Sequence, residues 1–147
     1  MDTPEHAALP MIDAYRQAVH DKDVAAFMDL YDADVRVFDT WAVWSYEGAA
    51  SWRKAVEIWF SSLGEERVRV TADDVRVAGG PTLLVVSAVV TYAGLAADGR
   101  ELRAMQNRLT WALEQRGASW KIVHEHTSAP ISTDHATAIL TRDDAPD

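Results

Sequence analysis

The second half of the chain is almost entirely β-structure in its residue pattern, and this constrains the fold more than any other feature. Four long alternating or apolar segments follow one another between residues 67 and 131. Asp98-Gly99 is a strong hairpin signal, and "RGAS" at 116–119 marks a further turn. Four long strands joined by hairpins give an antiparallel sheet, and one face of that sheet needs helices to cover it.

The first 31 residues predict two of those helices. Apolar residues recur at helical spacing from Met11 to Val19. Thr3 and Pro4 are suited to begin this helix, and Pro10 is an alternative first-turn proline. Asp23 is a good N-cap for a short second helix.

Residues 32–41 alternate with a period of two, which predicts a strand. The next segment is the clearest helix of the chain, and Gly64 ends it. The order of elements predicts an α+β fold, a curved antiparallel sheet wrapped around three helices. We expect one domain over residues 1–131 and a peripheral acidic tail over 132–147. The apolar stripe of the third helix consists of Trp52, Val56, Trp59, Phe60 and Leu63.

Composition excludes several functions. The 147 residues carry 14 basic and 23 acidic side chains, a formal charge of −9 that repels nucleic acid and anionic membranes. The absence of cysteine excludes disulfides and thiolate chemistry. The acidic N-terminal segment lacks the features of a signal peptide, so we expect a cytoplasmic protein. No cofactor fingerprint or phosphate loop is present, so we expect no cofactor.

Two histidines stand one residue apart in "WKIVHEH", residues 120–126. Regular alternation predicts that His124 and His126 share the inward face of Trp120 and Ile122, with Glu125 facing outward.

Three interpretations of this pair are open. Core histidines would hold the sheet to the helices through hydrogen bonds, whereas a ligand-facing role fits His126 best, with His124 beside it. A metal site would need a third ligand, for which only Asp39 and His135 are loose candidates, so we predict no metal.

Asp39 is a stronger candidate for a catalytic residue than the two histidines. It shares a strand face with Val35 and Val37, so an acid points toward an apolar interior, where desolvation raises its pKa and suits it to act as a general base. The alternative is that Asp39 ends the strand and either accepts a hydrogen bond or forms an ion pair with Arg108. The residue pattern does not determine which way the Arg108 side chain points, because either face of its strand would fit the core.

Aromatic residues near Asp39 predict the character of the ligand. Trp41 and Trp44 lie in the irregular segment "DTWAVWSYEG", which favours a flat apolar or aromatic ligand. The alternative is that both rings only cover the core. We add Trp59 and Phe38 to the candidate ligand-contacting residues.

The order of elements resembles that of the nuclear transport factor 2-like superfamily, in particular SnoaL-like and ketosteroid-isomerase-like proteins, over about residues 10–131. The segment "MQNRLTWALEQRGASWKIVHEHTSAP" is similar to the end of the calcium/calmodulin-dependent protein kinase II association domain. This resemblance implies a cone with a pocket at its open end, Arg108 on the pocket side, and homodimers through the outer sheet face.

The resemblance also implies roles for two residues. "VRVFD" falls where ketosteroid-isomerase-like proteins keep the Asp that moves a proton beside a carbonyl, here Asp39. Tyr15 is the nearest candidate for the helical Tyr of their oxyanion hole, while the acid of a later strand has no convincing counterpart.

Two functions remain open. The first is a cofactor-independent isomerase, cyclase or dehydratase for an apolar or aromatic small molecule, with Asp39 as base, His126 and Tyr15 as oxyanion donors, and Arg108 as an electrostatic orienter. The second is a non-catalytic ligand-binding or assembly module, in which Asp39, Arg108 and the histidines form a buried polar network.

Overall fold

The structure, a computed structural model, describes residues 3–144. Within these residues, three helices and six strands form an α+β fold, which confirms the predicted class. The helices are α1 (Pro4–Asp21), α2 (Val24–Met28) and α3 (Ala49–Ser62), and a 3-10 turn spans Arg142–Asp144. The strands are β1 (Tyr31–Phe38), β2 (Tyr46–Glu47), β3 (Arg67–Gly79), β4 (Leu83–Leu95), β5 (Glu101–Arg116) and β6 (Ser119–Ser128).

All strands belong to one curled sheet in the order β2-β1-β6-β5-β4-β3. The predicted antiparallel hairpins β3–β4, β4–β5 and β5–β6 are present, and β2 also pairs antiparallel with β1. The sheet is nevertheless mixed, because β1 lies parallel to β6. This parallel contact places the end of β1 beside the end of β6, and the site described below depends on it.

The helix boundaries follow from local chemistry. Pro4 is the first residue of α1 and Pro10 lies inside that helix, so the first of the two predicted starts is confirmed. Asp23 caps α2, and its Oδ1 accepts a hydrogen bond from the backbone N–H of Ala26 (3.0 Å). The chain leaves α3 through Gly64, whose φ of +58° costs glycine little.

The core lies between the helices and the concave face of the sheet. α1 presents a buried stripe at helical spacing, and the ring of Phe27 in α2 is completely buried. Burial of such a side chain stabilises the fold by about 2 to 3 kcal/mol. The stripe of α1 consists of Ala8, Met11, Ile12, Tyr15, Ala18 and Val19.

A β-bulge in β6 reverses the predicted orientation of the two histidines. Leu113 pairs with Ile122 and Ala112 pairs with His124, so Val123 is an extra residue in β6. Beyond the bulge Glu125 faces the interior with 1% exposure. The prediction that His124 and His126 face inward is therefore wrong, because it assumed an unbroken alternation.

β5 is also oriented opposite to the expectation from the resemblance. Asn107, Leu109 and Trp111 are buried on the concave face. Arg108 is exposed on the convex face, where its Nε donates to Ser128 Oγ (3.1 Å). The expectation that Arg108 lies on the pocket side is therefore wrong, since the apolar side chains of β5 are those that the core requires.

The C-terminal segment lies along β5, beyond the point where β6 ends. The amide of Gln106 donates to the Leu140 carbonyl (2.6 Å), and the amide of Arg142 donates to Gln106 Oε1 (2.7 Å). These bonds occupy backbone groups at a strand edge that would otherwise be open. The predicted tail also includes residues 145–147, which lie outside the described residues.

Candidate functional site

A cavity of about 460 Å³ opens between α1, α3 and the concave face of the sheet. This volume suits a small organic molecule. α3 contributes one wall, because Trp52, Val56 and Trp59 lie on the same side of that helix. The aromatic residues of the lining are Tyr15, Trp41, Tyr46, Trp52, Trp59 and Tyr92.

Asp39 enters this cavity directly after the end of β1. The Thr127 hydroxyl donates to its Oδ1 (3.1 Å), and the backbone N–H of Trp41 approaches Oδ2 (3.4 Å). Burial raises the pKa of Asp39, while these hydrogen bonds act in the opposite direction. Arg108 lies on the other face of the sheet, so the alternative of an Asp39–Arg108 ion pair is wrong.

Glu125 is a second acid of the cavity wall. Its Oε1 accepts hydrogen bonds from the Tyr31 hydroxyl (2.6 Å) and from Trp111 Nε1 (2.9 Å). Burial raises the pKa of Glu125 to about 7, since its two hydrogen bonds only partly offset the loss of water. A buried carboxyl with this pKa exchanges its proton readily at neutral pH.

The register of β1 and β6 places the two acids on neighbouring strands. Glu125 is paired with Val37, and Asp39 lies two residues farther along the chain, just beyond the end of β1 and beside Thr127. Strand spacing and rise put the backbones of Asp39 and Glu125 about 8 Å apart. Both side chains line the same cavity.

Two tyrosines join the helical and sheet walls. The hydroxyl oxygens of Tyr15 in α1 and Tyr92 in β4 are 2.9 Å apart and share a hydrogen bond. Burial raises the pKa of both phenols, so both remain neutral and able to donate at physiological pH.

Unpartnered polar atoms also occur in this wall. Within residues 3–144, Asn107 Oδ1 and Trp52 Nε1 are buried and have no hydrogen-bond partner. A buried polar atom without a partner costs about 1 to 3 kcal/mol. Both residues line the cavity, although these two atoms are themselves covered by protein.

The mouth of the cavity carries an ion pair. Arg103 of β5 binds Glu66, with an Nη2 to Oε2 distance of 2.8 Å. The guanidinium crosses β4 over Gly94, where an added Cβ would come within 3.1 Å of Nη1. The pair is largely exposed on the arginine side, so it adds at most about 1 kcal/mol to stability.

The structure brings only part of the predicted site together. Asp39, Tyr15, Trp41 and Trp59 line the cavity. The predicted candidates outside its lining are Phe38, Trp44, His124, His126 and Arg108.

The histidines lie on the outer face, where they pack around one ring. The ring of Phe38 meets that of His124 (5.1 Å between centroids) and that of His126 (5.5 Å). His124 Nδ1 also contacts the carbonyl of Arg36 (2.8 Å). Trp44 is 96% exposed. Phe38, Trp44 and His126 line a separate outer hollow, which Asp39 also borders.

Sequence reasoning missed Glu125, Thr127, Tyr92 and Asn107. A weak signal for the first two existed, because Ile122 and Val123 are consecutive apolar residues that interrupt strict alternation. Such an interruption allows a bulge, after which the inward face passes from the histidines to Glu125 and Thr127.

Among the described residues, no group of three or more His, Cys, Asp or Glu side chains is arranged to hold a metal ion. Within residues 3–144, no helix is long and apolar enough to cross a membrane.

A family model for the SnoaL-like domain matches residues 9–132, and the chain belongs to this family. The family's nuclear transport factor 2-like fold includes isomerases and cyclases, and it often binds small ligands and forms oligomers. No curated protein matches the sequence.

Solved structures agree with this fold. An NTF2-like protein of unknown function from Pseudomonas putida KT2440 superposes with a TM-score of 0.82 at 21% identity, with coverage of 97% of this chain and 96% of that one. A protein from Xanthomonas campestris, assigned as a calcium/calmodulin dependent protein kinase II association domain, superposes with a TM-score of 0.74 at 18% identity. The coverage is 88% of this chain and 89% of that one. An NTF2-like protein with a cystatin-like fold from Novosphingobium aromaticivorans superposes with a TM-score of 0.74 at 12% identity, with coverage of 90% of this chain and 86% of that one. At these identities the likeness concerns the fold alone.

Proposed function

We propose that this protein is a cofactor-independent enzyme that moves a proton beside the carbonyl group of an apolar or aromatic small molecule. One observation carries the proposal. The carboxyl of Asp39 opens into an aromatic cavity, and its pKa is raised by burial. A carboxylate in such surroundings is a stronger base than one in water, because desolvation disfavours its charge.

The tyrosine pair supports the same chemistry. Removal of a proton beside a carbonyl places negative charge on the carbonyl oxygen, and hydrogen-bond donors must stabilise it. The Tyr15 and Tyr92 hydroxyls, 2.9 Å apart, are neutral donors in the same cavity. His126 and Arg108 have no part in the proposal, since both lie on the outer face.

The proposal is tested by hydrogen–deuterium exchange into 2-tetralone, an apolar ketone with acidic C–H bonds beside its carbonyl. Proton NMR in D2O measures the rate of exchange. We expect the wild-type protein to accelerate exchange and Asp39→Asn to lose at least a factor of about 10². Asp34→Asn is the matched control, because Asp34 is an exposed acid of β1, the strand that Asp39 directly follows. An Asp39→Asn variant as fast as the wild type would show that Asp39 is not the base.

A non-catalytic ligand-binding module is the second candidate. It is favoured by the hydrogen bonds that Tyr31 and Trp111 make to Glu125, since they resemble a structural network. A wild-type protein that binds 2-tetralone, as seen by quenching of tryptophan fluorescence, without accelerating exchange would support this candidate and contradict the first.

We also propose that the protein forms a homodimer through its outer sheet face. β4 exposes the apolar side chains of Leu83 (50%) and Val85 (46%) on that face. Sedimentation velocity is expected to give a dimer, which Val85→Lys should dissociate. A monomeric wild-type protein would contradict this proposal.

A further inference from the structure

We infer that the hydroxyl groups of Thr127 and Thr40 form a proton relay, which carries a proton between Asp39 and solvent water in the outer hollow. The inference rests on the proposed function and deepens it. The relay returns Asp39 to its basic form while a ligand still fills the cavity. Thr127 and Thr40 act through Asp39, and neither of them needs to touch the substrate.

Asp39 lies in the wall between two hollow spaces. It lines the cavity of about 460 Å³ and also borders the outer hollow, whose volume is about 400 Å³. A molecule that fills the cavity excludes water from that side of the carboxyl group. A proton that Asp39 has taken from such a molecule therefore needs another path to solvent, and the outer hollow offers one.

Two hydroxyl groups connect Asp39 to the outer hollow. Thr40 Oγ1 donates to Thr127 Oγ1 (2.9 Å), and Thr127 Oγ1 donates to Asp39 Oδ1 (3.1 Å). Thr127 lines the cavity and is only 4% exposed, so solvent scarcely contacts it. Thr40 lines the outer hollow. The three side chains thus form a continuous chain of hydrogen bonds between the two spaces.

The pairing of β1 with β6 explains why these groups meet. Phe38 at the end of β1 is paired with His126 in the parallel strand β6. Asp39 and Thr40 follow Phe38, and Thr127 follows His126, so the next residues of the two strands lie side by side. The backbone N–H of Thr40 donates to Thr127 Oγ1 (2.9 Å) and fixes the middle of the chain.

This chain can reverse its direction without losing a hydrogen bond. A threonine hydroxyl donates one hydrogen bond and accepts two. When Asp39 is ionised, Thr127 accepts from the amide and the hydroxyl of Thr40 and donates to Asp39. When Asp39 is protonated, Thr127 can accept from Asp39 and from the same amide and donate to Thr40 Oγ1. Both directions use the same three contacts, which is the property that a proton relay requires.

The proposed transfer balances with water as the only other reactant. Asp39 takes the proton of the C–H bond on Oδ2, and the electron pair of that bond enters the enolate. A half-turn of the carboxyl group about its Cβ–Cγ bond, a broad twofold torsion, brings this proton to Thr127. Thr127 accepts it and gives its own proton to Thr40, which gives its proton to water in the outer hollow. Asp39 is then ionised again, and the reverse sequence delivers a solvent proton to it.

Isomerisation of 3-cyclohexen-1-one in D2O tests the relay. This small apolar ketone becomes 2-cyclohexen-1-one when a proton moves from C2 to C4. A proton that stays on Asp39 reaches C4 as hydrogen, whereas one that leaves through the relay is replaced by deuterium. Proton NMR of the first-formed product measures the share that carries deuterium at C4. A loss of active protein does not change this share, because it is a ratio of two products.

Thr40→Val removes the end of the relay. Valine keeps the shape of the side chain and the backbone N–H that binds Thr127, but it has no hydroxyl. We expect deuterium at C4 in the wild-type product and its loss in Thr40→Val, with isomerisation retained. Thr40→Ser restores a hydroxyl and should restore the deuterium. Thr110→Val is the control, because Thr110 is an exposed threonine of β5.

The 2-tetralone assay gives a second readout. Return of the same proton to the same carbon produces no exchange, so exchange should fall in Thr40→Val, by up to about 10²-fold. The two ketones should therefore respond differently to one substitution, since exchange falls and isomerisation does not. A purely structural role of Thr40 would lower both rates together.

The outcomes separate the relay from the proposed function. If wild type and Thr40→Val give the same share of deuterium, or if the wild-type product carries none at C4, the relay is overturned. The assignment of Asp39 as the base stands in either case, provided that Asp39→Asn stops isomerisation. If Asp39→Asn isomerises the ketone as fast as the wild type, the base assignment and the relay are both overturned.

Discussion

Four consecutive polar residues of β6 alternate between its two faces, and the two faces differ in burial. Glu125 and Thr127 are buried on the concave face, where they bind Tyr31, Trp111 and Asp39. His124 and His126 lie on the convex face around Phe38. The difference shows that one extra residue in a strand determines which titratable groups belong to a site.

The two environments also differ in energy. A buried carboxyl with two donors stabilises those donors and is itself costly to ionise. Partly exposed imidazoles against an aromatic edge contribute little, because water competes for them. Substitutions on the two faces should therefore have very different effects.

The largest effect is expected for Glu125→Ala. This change leaves the Tyr31 hydroxyl and Trp111 Nε1 without partners and opens a void, at a cost of about 4 kcal/mol in the free energy of unfolding at pH 6. His126→Ala should cost less than about 0.5 kcal/mol. Urea denaturation of both variants measures the contrast, and equal losses would show that the two faces have been assigned wrongly.

The free energy of unfolding should depend on pH because of the raised pKa of the Glu125 carboxyl group. The folded protein holds the Glu125 proton up to a pKa of about 7, compared with an ordinary value of 4.5. The folded state therefore binds more protons than the unfolded chain between these values, and the stabilisation is complete below pH 4.5 and lost as the pH rises through 7. The difference in pKa corresponds to about 3 kcal/mol.

The difference in the free energy of unfolding between Glu125→Gln and the wild type isolates the contribution of Glu125 to the pH dependence. Gln does not titrate, so the variant should gain about 3 kcal/mol relative to the wild type between pH 4.5 and pH 8. Asp39 contributes with the same sign in both proteins, because burial also raises its pKa, so only the part of its titration that depends on the charge of Glu125 remains in the comparison. A difference that does not change with pH would mean that Glu125 has an ordinary pKa.

The sequence predicted the elements well, because each has a strong local cause. The stripe of Trp52, Val56 and Phe60 specified α3, and Asp98-Gly99 specified the turn before β5. The same alternation placed Asp39 at the end of β1, on the face of Val35 and Val37. Period and turn chemistry are properties of neighbouring residues, and a single sequence records them directly.

The rest of the site could not be predicted, because it depends on pairing between distant strands. The bulge at Val123 exists only in the register of β6 against β5, and the approach of Asp39 to Thr127 requires β1 to lie parallel to β6. The direction of Arg108 was open for the same reason. Either face of β5 satisfied the pattern, and burial of Trp111 decided it.

Deletion of Val123 is expected to have a smaller effect than the substitutions of Glu125, and it gives the sharpest test of the comparison. Ile122 and His124 would become neighbours opposite Leu113 and Ala112, so β6 would alternate regularly. Counting from the inward Ile122, Glu125 would still face the cavity. We therefore expect a cost of only about 1 to 2 kcal/mol.

The decisive measurement for this deletion is the carboxyl titration of Glu125 by carbon-13 NMR. If the bulge does no more than accommodate one residue, Glu125 should still titrate near pH 7, because it keeps its donors and its burial. A titration near 4.5 would mean that Glu125 had moved to solvent. The inward position of Glu125 would then depend on the bulge itself and not on the pairing of the residues that follow it.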